Sequence, residues 1–249
     1  MFEYVYFARP DSLLEGRHVH SARTRLGAQL ARESPPLASH PCDLVAGVPD
    51  SSVAAAIGYA NHLRLPFSEV FCKNRYIGRT FIKPHDALRK NAIQLKYNPL
   101  PDVLAGKSII LVDDSLVRGN TLRQLVPLLR SGGAREVHVR ISSPPIRHPC
   151  YYGVDIGSYD ELIATHVHTV EGLRDYIGAD SLAYLSYEGL VKAVEGVDEP
   201  GAAPGHCSGC FTGKYPIEFD HPPVLGGGGG EESTLFYAPG VEANPTPDR

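Results

Sequence analysis

The 249-residue sequence contains no tryptophan, a single methionine and no hydrophobic run that approaches the ~18 residues of a membrane-spanning helix. It also carries little net charge, since 24 basic and 28 acidic residues give a formal charge of −4 and a pI near 6.2. Binding to nucleic acid or to an anionic membrane requires a broad basic surface, which this balance does not supply. We therefore expect no nucleic-acid partner and no membrane partner, and any phosphorylated ligand must be held by a local site.

The beginning of the sequence shows no signal-peptide pattern, so the cytoplasm is the expected location. Hydrophobic residues make up 43% and charged residues 21% of the chain, which excludes a mostly disordered or fibrous protein. The length favours one α/β domain with appendages. Because the composition shifts to Gly, Pro and Cys near residue 198, we expect a domain over 1–196, a cysteine-containing segment over 197–217 and a disordered Gly/Pro-rich tail over 218–249.

Hydrophobic runs and amphipathic segments alternate along the chain. The pattern predicts strands at 2–7, 43–48, 67–71, 108–112 and 136–142. It predicts helices at 21–32, 52–63 and 121–130. Weaker elements, whose type the pattern leaves open, follow at 160–164, 170–177, 182–185 and 187–194. This alternation indicates an α/β fold with a mostly parallel, twisted sheet and helices on both faces, whose ligands bind at the carboxyl ends of the strands.

Two adjacent acids, Asp113 and Asp114, end the most strand-like run of the chain at 108–112. Small and hydroxyl-bearing residues follow at 115–121, directly before a predicted helix. Carboxylates bind Mg²⁺ or sugar hydroxyls, and the N–H groups at a helix N-terminus hold phosphate, so the string suits a phosphorylated sugar. On the acid pair alone, a solvated turn before a capped helix remains an alternative. Neither a Walker loop nor a dinucleotide-binding Gly-x-Gly-x-x-Gly motif is present.

The complete string at 108–121 resembles the phosphoribosyl pyrophosphate (PRPP) signature of type I phosphoribosyltransferases. Three further strings resemble the amidophosphoribosyltransferase family: FEYVYFARPDS at 2–12, GVPDSS at 47–52 and KNRYIGRTFI at 73–82. This likeness extends from Phe2 to about Pro216. It implies the type I phosphoribosyltransferase fold and the first step of de novo purine biosynthesis. In that reaction ammonia, derived from glutamine in the full enzyme, displaces pyrophosphate from PRPP with Mg²⁺ and gives 5-phosphoribosylamine.

The resemblance also implies roles for individual residues. PRPP would be bound by Asp50, Ser51, Asp113, Asp114, Ser115, Arg118, Gly119, Asn120 and Thr121. Mg²⁺ would be coordinated by Ser51, Asp113 and Asp114. The catalytic residues would be Lys73, Arg75 and Arg79, on a flexible loop that closes over the pyrophosphate. On charge alone, this segment reads more simply as an ordinary exposed basic loop.

Five cysteines occur, at 42, 72, 150, 207 and 210. An odd number without an export signal favours reduced thiols or metal ligands over a disulfide framework. The C-x-x-C pair at 207–210 is by itself a weak metal signal. In the iron–sulfur subset of the family, typified by the Gram-positive enzyme, Cys150, Cys207 and Cys210 match three ligands of a [4Fe–4S] cluster, and the fourth would lie immediately before Met1. We expect Cys42 and Cys72 to be inert.

The resemblance places the N-terminal glutaminase domain of the family outside this sequence, so glutaminase activity is not expected from it. The chain could use free ammonia, pair with a separate glutaminase subunit, or be a fragment. A PRPP-binding regulatory module or inactive fragment without turnover is the main alternative, and a salvage transferase acting on a free base is a weaker one. The family further implies a homo-oligomer and inhibition by purine nucleotides.

Overall fold

The computed structural model describes residues 1–74, 96–156, 158–196 and 205–217. The strands in these ranges are β1 (Leu13–Leu14), β2 (Arg17–His18), β3 (Leu44–Gly47), β4 (Phe71–Lys73), β5 (Tyr97–Pro99), β6 (Ser108–Asp113), β7 (Glu136–Ile141) and β8 (Ser181–Tyr184). The α-helices are α1 (Val19–Glu33), α2 (Val53–Leu63), α3 (Pro101–Leu104), α4 (Asn120–Ser131), α5 (Ile163–His166), α6 (Val170–Ile177), α7 (Tyr187–Glu195) and α8 (Gly209–Thr212).

The centre of the fold is a parallel sheet with strand order β3–β6–β7–β8. Side chains of β6 alternate between its two faces. Ile110 and Val112 join the hydrophobic core formed with α1, α2 and α7, whereas Ile109 and Leu111 join the core formed with α4 and α6. Both faces are therefore covered by helices, as expected for a parallel sheet, and the predicted α/β class is confirmed.

Two short antiparallel pairs, β1–β2 and β4–β5, lie outside this sheet. The prediction of a strand at 67–71 is wrong for most of that segment. Phe67 forms a single bridge to Val45, and the regular strand is β4, which pairs with β5.

The predicted strand at 2–7 is also wrong, because Glu3–Phe7 forms a short π-helix. The buried guanidinium of Arg23, on α1, explains the difference. Its Nε donates to the carbonyl of Tyr4 at 2.9 Å, and its Nη2 donates to the carbonyls of Tyr6 and Ala8, both at 2.8 Å. In a strand these three carbonyls would lie on the same side but be spread over about 13 Å, too far apart for one guanidinium to reach, whereas the helical turn brings them together.

The other predicted elements are confirmed with small shifts. Helix α1 begins at Val19, two residues before its predicted start, because His18 is the last residue with extended backbone. The weak pattern at 160–164 divides between a 3₁₀ turn, Tyr159–Glu161, and α5. The remaining weak elements prove to be helix α6, strand β8 and helix α7.

Several predictions fall outside the described residues. Arg75, Arg79 and most of the predicted loop lie there, as does the tail at 218–249. The predicted domain boundaries stay predictions. Among the helices of the described ranges, none is both long enough and apolar enough to cross a membrane.

Candidate active site

The acid pair stands at the carboxyl end of β6, where both carboxyl side chains are almost completely buried. Asp113 is 7% exposed and Asp114 is 5% exposed. The Ser52 hydroxyl donates to Asp113 Oδ1 at 2.8 Å and lies 3.3 Å from Asp114 Oδ2. The Asp114 backbone N–H donates to Asp113 Oδ1 at 2.9 Å, and the Ser115 hydroxyl donates to Asp114 Oδ1 at 2.6 Å.

This environment penalises two negative charges. Burial raises the pKa of Asp113 well above its ordinary value, and the charge of Asp114 raises it further. Burial also raises the pKa of Asp114, opposed by hydrogen bonds from the neighbouring serines and by the charge of Arg23. A divalent cation bound beside the pair would neutralise these negative charges. The arrangement is therefore typical of a site that binds a cation and a ligand together.

A second loop, at 48–52, lies beside the acid pair because β3 and β6 are parallel neighbours. The Val48 N–H donates to the Val112 carbonyl at 2.9 Å and continues the ladder to the end of both strands. The Tyr97 hydroxyl donates to the Pro49 carbonyl at 3.1 Å. Asp50 is largely exposed and forms an ion pair with Lys73, at the end of β4. Lys73, proposed as catalytic, is therefore held by a residue proposed to bind PRPP.

The loop at 115–121 leads from the acid pair into α4. Gly119 adopts φ +73° directly before this helix, and a β-carbon there would lie 3.0 Å from the ring of Tyr176, so the position favours glycine for two reasons. The Arg118 guanidinium forms a half-exposed ion pair with Glu161 at 2.7 Å. Asn120 and the next residues form the N-terminus of α4, and the free backbone N–H groups of a helix N-terminus are suited to holding an anion.

The structure brings Asp113, Asp114 and Ser115 together with the loop that contains Ser51. Ser52 was missed by sequence reasoning, although the parallel pairing of β3 with β6 could have placed the two loops side by side. No three His, Cys, Asp or Glu side chains of the described residues are grouped so as to hold a metal ion. Mg²⁺ is commonly held by one or two carboxylates together with substrate phosphates, and its binding here stays a prediction.

The three cysteines singled out by the sequence lie at another place in the fold. The Cys210 carbonyl accepts hydrogen bonds from the N–H groups of Arg147 and His148, at 3.0 and 3.1 Å, which joins α8 to the segment that carries Cys150. Burial, together with the nearby thiols of Cys150 and Cys207, raises the pKa of Cys210 to about 12. All three thiols are free. Their chemistry suits iron–sulfur ligation, but they are not already arranged as a ligand set.

Residues 11–172 match the model of the phosphoribosyl transferase domain, so the chain belongs to that family. Within it, the chain is 52% identical over 223 residues to the amidophosphoribosyltransferase of Bacillus subtilis (strain 168), a match that covers 90% of this chain and 46% of that protein.

Two solved structures agree with this assignment. The glutamine PRPP amidotransferase of B. subtilis, complexed with ADP and GMP, matches with a TM-score of 0.77 and 52% identity over 87% of this chain and 46% of that one. A structure described as the allosteric regulatory enzyme of purine biosynthesis matches with a TM-score of 0.78 and 50% identity over 90% of this chain and 47% of that one. The chain thus spans about half the length of the relatives it matches.

Proposed function

We propose that this chain is the phosphoribosyltransferase half of an amidophosphoribosyltransferase. It would convert PRPP and ammonia into 5-phosphoribosylamine and pyrophosphate, the first step of de novo purine biosynthesis. The observation that carries the proposal is the buried Asp113–Asp114 pair at the end of a parallel strand, beside the loop at 48–52. The 52% identity to an amidophosphoribosyltransferase over most of the chain favours this activity over the other activities found in the phosphoribosyl transferase family.

Mg²⁺, the ribose and the 5-phosphate of PRPP would each be bound by particular residues of the site. Asp113 and Asp114, with Ser51, would hold Mg²⁺, which neutralises charge on the departing pyrophosphate. The same two carboxylates would accept hydrogen bonds from the ribose hydroxyls. The N-terminus of α4 and the residues of 115–121 would bind the 5-phosphate. Positioning and exclusion of water, rather than a protein nucleophile, would accelerate the reaction.

Lys73 has to change partner for this chemistry. In the structure its ammonium pairs with the Asp50 carboxylate. A bound pyrophosphate carries more negative charge than one carboxylate and would compete for the ammonium. We propose that Lys73, with Arg75 and Arg79, contacts pyrophosphate in the loaded enzyme.

Further parts of the proposal concern the partners. Ammonia would arrive free or from glutamine, through a glutaminase domain or a separate glutaminase subunit. Inhibition by purine nucleotides is supported by the B. subtilis relative, whose structure contains ADP and GMP. Homo-oligomer formation and a cytoplasmic location stay predictions.

We also propose that Cys150, Cys207 and Cys210 contribute to a [4Fe–4S] cluster. The proposal is supported by the electrostatic effect of Cys150 and Cys207, which both raise the pKa of Cys210, and by the hydrogen bonds that join α8 to the segment before Cys150. No step of the transferase reaction depends on this cluster.

Calorimetric titration of the full chain with PRPP and Mg²⁺ tests the proposed site. Asp113→Asn should weaken binding by about 10-fold to 100-fold, the cost of losing a contact to a charged group. The matched control is Asp43→Asn, because Asp43 lies before β3 at the other end of the sheet, where its Oδ2 accepts the Ser108 N–H at 2.8 Å. Equal PRPP affinity in the wild type and Asp113→Asn would contradict the assignment of the site.

A further inference from the structure

Ser52 occupies the N-cap position of α2, but its hydroxyl does not cap the helix. A serine at this position commonly accepts a hydrogen bond from a backbone N–H of the first helical turn. Here the side chain is 0% exposed, and its hydroxyl donates to a carboxylate 61 residues further along the chain. The contact usual for stabilising the helix has been replaced by a contact to the acid pair.

The hydrogen bond fixes which oxygen of Asp113 is available to a ligand. A hydroxyl has one proton to donate, and its 2.8 Å contact to Asp113 Oδ1 is much shorter than its 3.3 Å contact to Asp114 Oδ2. The second donor to this side chain, the Asp114 N–H, also ends on Oδ1. Two donors on one oxygen restrain the carboxylate, and no group of the described residues donates to Oδ2, the oxygen that an incoming cation or hydroxyl would meet.

The same contact joins two loops that have separate origins in the sequence. Ser52 follows Ser51 in the loop after β3, whereas Asp113 ends β6. Because both loops would contact the same PRPP and Mg²⁺, an error in their relative position would separate the ligands of one cation.

We propose that Ser52 is a positioning residue, which orients the Asp113 carboxylate and holds the loop at 48–52 in register with it for Mg²⁺-dependent binding of PRPP. This inference rests on the proposed function. Ser52 itself need not touch substrate, because it acts through Asp113.

A matched control is available on the same strand. Ser108, at the opposite end of β6, is also 0% exposed, and its hydroxyl donates to Glu136 Oε2 at 2.7 Å. Ser108→Ala and Ser52→Ala therefore each remove a buried hydroxyl that donates to a carboxylate, but only Ser52 contacts the acid pair. If the Ser52 hydroxyl had only a structural role, Ser52→Ala and Ser108→Ala would have the same Mg²⁺ requirement for PRPP binding.

The test measures PRPP binding to the full chain by calorimetry over a range of Mg²⁺ concentrations, with melting temperatures recorded in parallel. Ser52→Ala should need about tenfold more Mg²⁺ than the wild type for half-maximal PRPP binding, and saturating Mg²⁺ should restore most of the affinity. Ser108→Ala should keep the wild-type Mg²⁺ requirement. Ser52→Thr retains the hydroxyl and should lie closer to the wild type than Ser52→Ala does.

The outcomes separate this inference from the proposed function. If the wild type binds PRPP with Mg²⁺ and Ser52→Ala has the same Mg²⁺ requirement, the inference is overturned and the proposed function stands. The inference is also overturned if Ser52→Ala and Ser108→Ala raise the Mg²⁺ concentration needed for half-maximal PRPP binding by the same factor. If the wild type itself fails to bind PRPP at any Mg²⁺ concentration, both are overturned.

Discussion

Gly27 of α1 packs against Ala55 of α2 at backbone contact. A β-carbon at position 27 would lie 1.7 Å from the Ala55 carbonyl oxygen. The reverse contact is equally close, since a β-carbon at Gly58 would lie 1.9 Å from the carbonyl oxygen of Thr24. Two glycines therefore set the separation of α1 and α2. Because α2 begins at the loop of the candidate site, this crossing also positions Ser52.

Substitution of Gly27 by alanine should force the two helices apart. We expect a loss of about 3 kcal/mol in the free energy of unfolding, or roughly 6–12 °C in melting temperature, because the backbone cannot yield as a flexible side chain would. Gly205→Ala is the control, since a β-carbon there meets nothing within 4 Å. Urea denaturation of both variants makes the comparison. If Gly27→Ala had the same free energy of unfolding as the wild type, α1 and α2 would not be in backbone contact at this position.

The acid pair should cost stability in the absence of a ligand. Burial raises the pKa of both carboxyls, so keeping the pair ionised at neutral pH is unfavourable in the folded chain. Asp113→Asn removes one charge and retains an oxygen acceptor for Ser52. Without Mg²⁺, the variant should be more stable than the wild type at pH 7, by about 1–3 kcal/mol. Denaturation in chelator measures the difference, and a less stable variant would contradict this account of the pair.

His138 should make the stability fall as the solution becomes acidic. Burial lowers its pKa, and the nearby charge of Arg140 lowers it further. Its Nδ1 lies 2.9 Å from the Ser181 hydroxyl, while the charges of Glu136 and Asp180 oppose the shift. Below the unfolded-state pKa of ~6.5 the unfolded chain binds this proton more tightly than the folded chain. Stability should therefore decrease from about pH 6.5 down to the lowered pKa of the folded state and show no such penalty above pH 6.5.

Urea denaturation between pH 5 and 8 measures this dependence. His138→Gln should lower the overall stability but flatten the acid slope relative to the wild type, because the titrating group is gone. His168→Gln, at an exposed position, should keep the wild-type slope. Identical slopes in the wild type and His138→Gln would assign the acid sensitivity to other groups.

The three cysteines around α8 should bind iron. Protein purified without oxygen should be brown and should contain iron and acid-labile sulfide, whereas Cys210→Ala should be colourless. Cys72→Ala, at an exposed strand position, should keep the colour. A colourless, iron-free wild type would remove the cluster from the account and leave the transferase site unaffected.

The sequence predicts β6, α4 and the acid pair between them because each depends on local pattern. A hydrophobic run, two acids and an amphipathic helix with leucines at regular spacing are visible within some 25 residues. The strand assigned to 2–7 is wrong because its alternating aromatic residues resemble a strand, whereas Arg23, from a different element, decides its conformation. Ser52 was missed for a related reason. Its local setting indicates a helix cap, and only the tertiary pairing of β3 with β6 reveals its contact to Asp113.

The most direct test of the central claim is Mg²⁺-dependent release of pyrophosphate from PRPP by the purified chain, with ammonia and glutamine compared as nitrogen donors. The account predicts release with ammonia and none with glutamine, and at PRPP concentrations below saturation the activity should fall in Asp113→Asn in line with its weaker PRPP binding. Absence of release with ammonia, in protein that binds PRPP, would contradict the account and would indicate a PRPP-binding module without turnover.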